Sequence, residues 1–169
     1  TNDTARTLLN TLAYINLQGK RTSASNVGTS CILVIDVPAE GVYELGVAFH
    51  EASDTSARGI VRKTGDGELA LATLGNVWKY RTDFDVQAGV LNMHNLKDVA
   101  YRIGAIGIAE GATVVGPDYT MFAAGVYGAG LLTNQATSDR YFRTTGGTAS
   151  NPYMFSGKIS GKDNAYKEN

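Results

Sequence analysis

The sequence predicts an all-β protein: an antiparallel β-sandwich of jelly-roll type, with an N-terminal arm and an extended C-terminal arm. Three observations predict it. Residues Cys31 to His50 read as two strands around a tight turn. Further short strands recur between Gly-, Asp- and Pro-containing turns as far as Val126. The chain of 169 residues also carries 20 Gly and 9 Tyr, which suits many short strands and tight turns better than long helices. A chain of this length is one domain by default and can bury a core without covalent staples.

Taken in order, Thr1 to Thr7 is polar and reads as a loose arm. Leu8, Leu9, Leu12, Ala13 and Ile15 fall on one face of a short helix, whereas Ala13, Ile15 and Leu17 alternate as a strand would. Residues 1–18 are therefore expected to be an arm or short helix that becomes a strand near Tyr14. Arg21 to Ser30, rich in Ser, Thr, Asn and Gly, is a loop. The strand from Cys31 to Val37 is apolar on both faces until Asp36 and belongs at the centre of a sheet. Pro38 presets φ for a turn and Gly41 can take φ > 0, so Val42 to His50, with Tyr43, Leu45, Val47 and Phe49 on one face, is expected to return as a hairpin.

A second hairpin is expected across Gly65-Asp66-Gly67, joining Gly59–Thr64 to Glu68–Leu74. In the next strand Trp78, Tyr80, Phe84 and Val86 share one face, while Lys79, Arg81, Asp83 and Asp85 make the other wet. Burying four large side chains at about 1.5–3 kcal/mol each would fix its register. Gln87-Ala88-Gly89 is a turn, Val90 to His94 a strand and Asn95 to Asp98 a reversal. Val99, Tyr101 and Ile103 then have one parity and Ile106 and Ile108 the other; a bulge near Gly104 would turn all five to one core. Thr113–Val115 and Tyr119–Val126 close a sandwich core of residues 19–126. Residues 127–169 lack a sustained period and space Leu131-Leu132, Tyr141-Phe142 and Tyr153-Met154-Phe155 along polar linkers, as an extended arm would. Tyr141, Phe142, Tyr153, Met154 and Phe155 are its expected docking residues.

The residues that carry chemistry are sparse. The single Cys31 excludes an internal disulfide and an all-Cys metal site, and reads as a buried thiol. His50 with Glu51 and Asp54 reads as a strand end before a polar loop rather than a metal site, and His94 has no companion His. Asp83 and Asp85 are flanked by Lys79 and Arg81, so a solvated, salt-linked stripe is the expectation rather than a glycosidase pair. No phosphate-loop ending and no Gly-x-Ser-x-Gly elbow occurs. No catalytic residue, metal or cofactor is expected. The formal net charge of −1 argues against nucleic acid, and no apolar run reaches the ~18 residues of a membrane span.

Ile35-Asp36-Val37-Pro38-Ala39-Glu40-Gly41-Val42-Tyr43-Glu44-Leu45, with Val86-Gln87-Ala88-Gly89-Val90, resembles the hairpins of jelly-roll and related β-sandwich modules found in carbohydrate-binding domains and in viral capsid and fibre proteins. With the long Gly/Ala/Tyr tail, the chain looks most like a bacteriophage head-decoration or fibre protein. The resemblance implies a non-catalytic structural protein of a virion or extracellular assembly, whose partners are copies of itself or another coat protein. The alternative it implies is a carbohydrate-binding module, with Trp78, Tyr80 or Tyr101 stacking on sugar rings of a glycan partner.

Overall fold

Every strand must pair its main-chain groups, and in this chain the partner lies one coil further along rather than next in sequence. The computed structural model describes residues 5–8, 14–16, 32–46, 48–50, 59–71, 82–96, 102–118, 120–135, 140–144, 146–150, 152–161 and 166–167. Two short strands come first, β1 (Ala5–Leu8) and β2 (Tyr14–Asn16). The chain then winds through β3 (Ile32–Asp36), β4 (Val42–Leu45), β5 (Ala48–His50), β6 (Ile60–Thr64), β7 (Glu68–Leu71) and β8 (Asp83–Val86). It continues with β9 (Val90–Asn92), β10 (Arg102–Ile108), β11 (Thr113–Gly116), β12 (Met121–Gly128) and β13 (Leu131–Asn134). β14 (Arg140–Thr144), β15 (Lys158–Gly161) and β16 (Tyr166–Lys167) complete it.

One seven-stranded sheet has the order β1-β4-β7-β9-β11-β13-β15 and the other β3-β6-β8-β10-β12-β14-β16, with β2 and β5 as a separate pair. Every ladder between these strands is parallel. The protein is therefore a β-solenoid of stacked coils, and this overturns the expected antiparallel sandwich and its jelly-roll topology. The capsid-decoration and fibre reading drew on that jelly-roll likeness and loses its support. The expected hairpin turns are corners instead. Pro38 to Gly41 carries the chain from a strand of the second sheet to a strand of the first, so β3 and β4 lie in different sheets. The two sheets also run on beyond residue 126 through β13, β14 and β15, where an extended arm was expected.

Corner stacks on corner. The amide of Glu68 donates to Gly41 O at 2.9 Å, that of Val90 to Gly67 O at 3.1 Å and that of Thr113 to Gly89 O at 2.9 Å. Leu131 and Lys158 extend the column through Ala112 O and Gly130 O. The ladders thus continue across the corner, one amide of each coil bonding to the corner carbonyl of the coil before.

Alternation along each strand then builds the core. Leu33, Val61, Phe84, Ile106 and Val126 occupy successive rungs of the second sheet. Tyr43, Leu69, Leu91, Val114, Leu132 and Ile159 do the same in the first. Residues from both columns meet in one hydrophobic core. At Gly104 the inward parity switches: Ile103 packs against the core that holds Ile106 and Ile108, while Val99 and Tyr101, the other two of the expected five, lie outside the described residues. The adjacent amides of Gly104 and Ala105 both point to β8, one to Thr82 O at 3.0 Å and one to Asp83 Oδ1 at 2.6 Å. An acceptor from a side chain is needed because a regular strand sends adjacent amides in opposite directions. Among the described residues no helix is long and apolar enough to cross a membrane.

Candidate functional site

The outward residues of the second sheet form rows along the solenoid. In one row Val34, Arg62, Asp85, Gly107 and Tyr127 follow one another from coil to coil. Parallel pairing thus brings Arg62 beside Asp85, and Arg62 Nε lies 2.7 Å from Asp85 Oδ2. Gln87 Nε2 donates to the other carboxylate oxygen, Asp85 Oδ1. Asp83, on the same face of β8, is tied to the Ala105 amide.

Next to this polar cluster are two aromatic rings. A Cβ on Gly107 would stand 2.5 Å from the ζ carbon of Tyr127, and one on Gly125 would stand 2.0 Å from Cδ2 of Tyr153. Each ring lies against the main chain of the preceding coil because the position beneath it is glycine. The ring centroids are 6.4 Å apart with 21° between the planes. At that spacing and angle the two rings are an offset-stacked pair lying on the outer face of the sheet. Burial is the main cause raising the Tyr127 hydroxyl above its ordinary pKa, and the Asp85 and Asp83 carboxylates add to it. The phenol stays protonated and able to donate. On the neighbouring coil the Arg143 guanidinium lies 5.7 Å from the Phe122 ring centroid.

Among the described residues, two clefts adjoin the coils of β12 to β15. One, of about 420 Å³, is lined by Val126, Phe142, Phe155 and Ile159 together with the loop through Gly146 and Tyr153. The other, of about 540 Å³, runs over small corner residues such as Gly111, Ala129, Gly130 and Gly157. Neither gathers titratable groups. Among the described residues no three His, Cys, Asp or Glu side chains come together as a metal site would require. His94 stands in the turn after β9, its amide bonded to Asn92 Oδ1 at 2.9 Å.

Of the five aromatic-cluster residues that the sequence grouped, the structure brings Phe142, Tyr153 and Phe155 to the lining of one cleft but gives them different surroundings. Phe142 and Phe155 are partly buried against the core. Tyr153 covers Gly125 on the outer face, and Met154 is 73% exposed. Tyr141 belongs to β14, and its side chain lies outside the described set. Trp78, Tyr80 and Tyr101, the expected sugar-stacking residues, lie outside the described residues, as do Cys31, Glu51, Asp54, Lys79 and Arg81. Asp83 and Asp85 share a face as expected, but the cation against Asp85 is Arg62 from the preceding coil. Sequence reasoning missed Arg62 and Tyr127 because their neighbours are set by coil register, about 20 residues away along the chain.

No family model, no curated protein and no solved structure matches this chain. The fold and its surface define a parallel β-solenoid protein.

Proposed function

We propose that the protein is a non-catalytic structural subunit, a short β-solenoid rod that assembles end to end with copies of itself. The observation that carries this reading is that, among the described residues, the core columns lose burial toward the ends of the stack. In the first sheet Leu69, Leu91, Val114 and Leu132 are all 0% exposed, yet Ile159 on the next rung is 45% exposed. At the opposite end Leu33 and Ile35 of β3, the edge strand of the second sheet among the described residues, are only partly buried. Apart from Tyr127 and Tyr153, the exposed large apolar side chains follow the same distribution. Ile32, Val34 and Val42 belong to the β3–β4 coil, and Met154 and Ile159 to the last, while the described residues of the three coils from β6 to β11 expose none.

A second copy suits such ends. Parallel strands at one end offer the main-chain groups that the strands at the other lack, so a head-to-tail contact continues both sheets and both columns. The test is the mass of the purified protein across a concentration series, with electron microscopy of the same samples. Mass that grows with concentration, with rods of uniform width, is the expected result. A monomer at every concentration overturns the reading.

A further inference from the structure

Beyond its edge strand β3, the outer face of the second sheet takes no part in the end-to-end contact, and it carries a site of its own. We propose that Tyr127 and Tyr153, with the Arg62–Asp85 pair beside them, form a shelf that binds a neutral polysaccharide chain. Tyr127 keeps 39% and Tyr153 36% of its surface in solvent, although each has the sheet beneath it. A flat, half-wet aromatic surface takes the C–H face of a pyranose ring, and the phenol can meet a hydroxyl. Carboxylate oxygens accept from sugar hydroxyls and a guanidinium donates to them, so Asp85 and Arg62 supply both halves of what a hydroxyl needs.

Charge selects the occupant. Arg62 and Asp85 neutralise each other at 2.7 Å. A polyanion would meet the Asp83 and Asp85 carboxylates and a polycation would meet the Arg62 guanidinium, so a chain without charge fits best. The row also has a length. Arg62 and Tyr127 are three inter-strand steps apart through Asp85 and Gly107, which is about 14 Å at the usual strand spacing. That suits several sugar units laid along the solenoid.

The experiment is affinity electrophoresis of the full chain through native gels containing dextran, laminarin or galactomannan, with heparin and polylysine as charged controls. The expected result is retardation by at least one of the neutral polymers. The Tyr127→Ala/Tyr153→Ala variant should lose about tenfold in affinity, as should Asp85→Asn, with an unchanged circular dichroism spectrum; two lost aromatic contacts are of that size. If the double variant fails to fold, Tyr153→Leu carries the same test at a half-exposed position. Retardation by none of the three neutral polymers overturns the proposal. So does retardation that survives the tyrosine variants, or binding to heparin or polylysine in place of the neutral chains. Association is read separately from the mass series, so failure here leaves the assembly reading standing.

Discussion

Lys63 occupies an inward position that its neighbours give to hydrocarbon: Ile35 precedes it on the rung below and Val86 follows it above. It is 1% exposed. A charged group this deep needs partners, and Nζ donates to Thr64 O at 3.1 Å, to Gly65 O and to Ala88 O at 2.9 Å. The amine thereby ties two successive corners together from the inside. Lys63→Met should fill the column but take that donor from Gly65 O and Ala88 O, while Thr64 O keeps the Val37 amide, at a loss of about 1–3 kcal/mol. Burial lowers the Lys63 pKa below 10.5, against the smaller opposing pull of Asp36 and Asp66. Between the lowered folded value and 10.5 the unfolded chain holds more protons, so this residue makes stability rise with pH through that window. Urea denaturation from about pH 8 to about pH 11 should therefore show wild type gaining on Lys63→Met as pH rises. A gap that narrows instead would mean that the fold holds Lys63 as the ammonium ion.

At the scale of the element, the corners explain both what the sequence revealed and what it concealed. A solenoid corner and a hairpin turn ask for the same residues, because both need a preset φ and a position free of Cβ. Pro38 to Gly41 and Gly65 to Gly67 were thus legible as turns, and the strands beside them as strands. Which strand each would pair with was not legible, because alternation is the same in parallel and antiparallel neighbours when one face is buried. The distinguishing signal is recurrence: Gly41, Gly67, Gly89, Gly111, Gly130 and Gly157 all stand just before strands of the first sheet. It was hidden by uneven coils, with 28 residues from Ile32 to its partner Ile60 but 20 from Ile106 to Val126. Arg62 beside Asp85 and Tyr127 over Gly107 could not be found without that register.

The corner glycines differ in what they do, and mutation should separate them. A Cβ on Gly67 would stand 2.2 Å from Pro38 O and 2.5 Å from Gly41 O, both main-chain atoms of the stacked corner. Gly111 meets nothing within 4 Å but holds φ at +81°. Gly67→Ala should therefore prise two coils apart, at about 1–3 kcal/mol or more, and Gly111→Ala should cost about 1–2 kcal/mol from backbone strain alone. Thermal unfolding of the two variants checks the order. Equal losses would show that the close approach at Gly67 relaxes without consequence.

For the whole molecule, a solenoid's stability is close to a sum over neighbouring coils, so each open end gives up one interface that a further coil would supply. A contact between unlike ends is heterologous: it does not close on itself, and growth stops only when one end is blocked. That property gives a test independent of whether long rods form. Val34→Lys places a charge on β3 and Ile159→Lys one on β15, each an edge strand of its sheet among the described residues and at opposite ends of the stack. Charges on edge strands disfavour pairing with another chain. Each variant alone should stay monomeric, because each lacks one of the two surfaces that every contact needs. Mixed at equal concentration they should form a one-to-one dimer and nothing larger, joined by the intact C-terminal end of V34K and the intact N-terminal end of I159K. Sedimentation of the two variants and their mixture reads this directly. A variant that dimerises by itself would mean that like ends pair, and the rod would then be limited to two subunits through that surface.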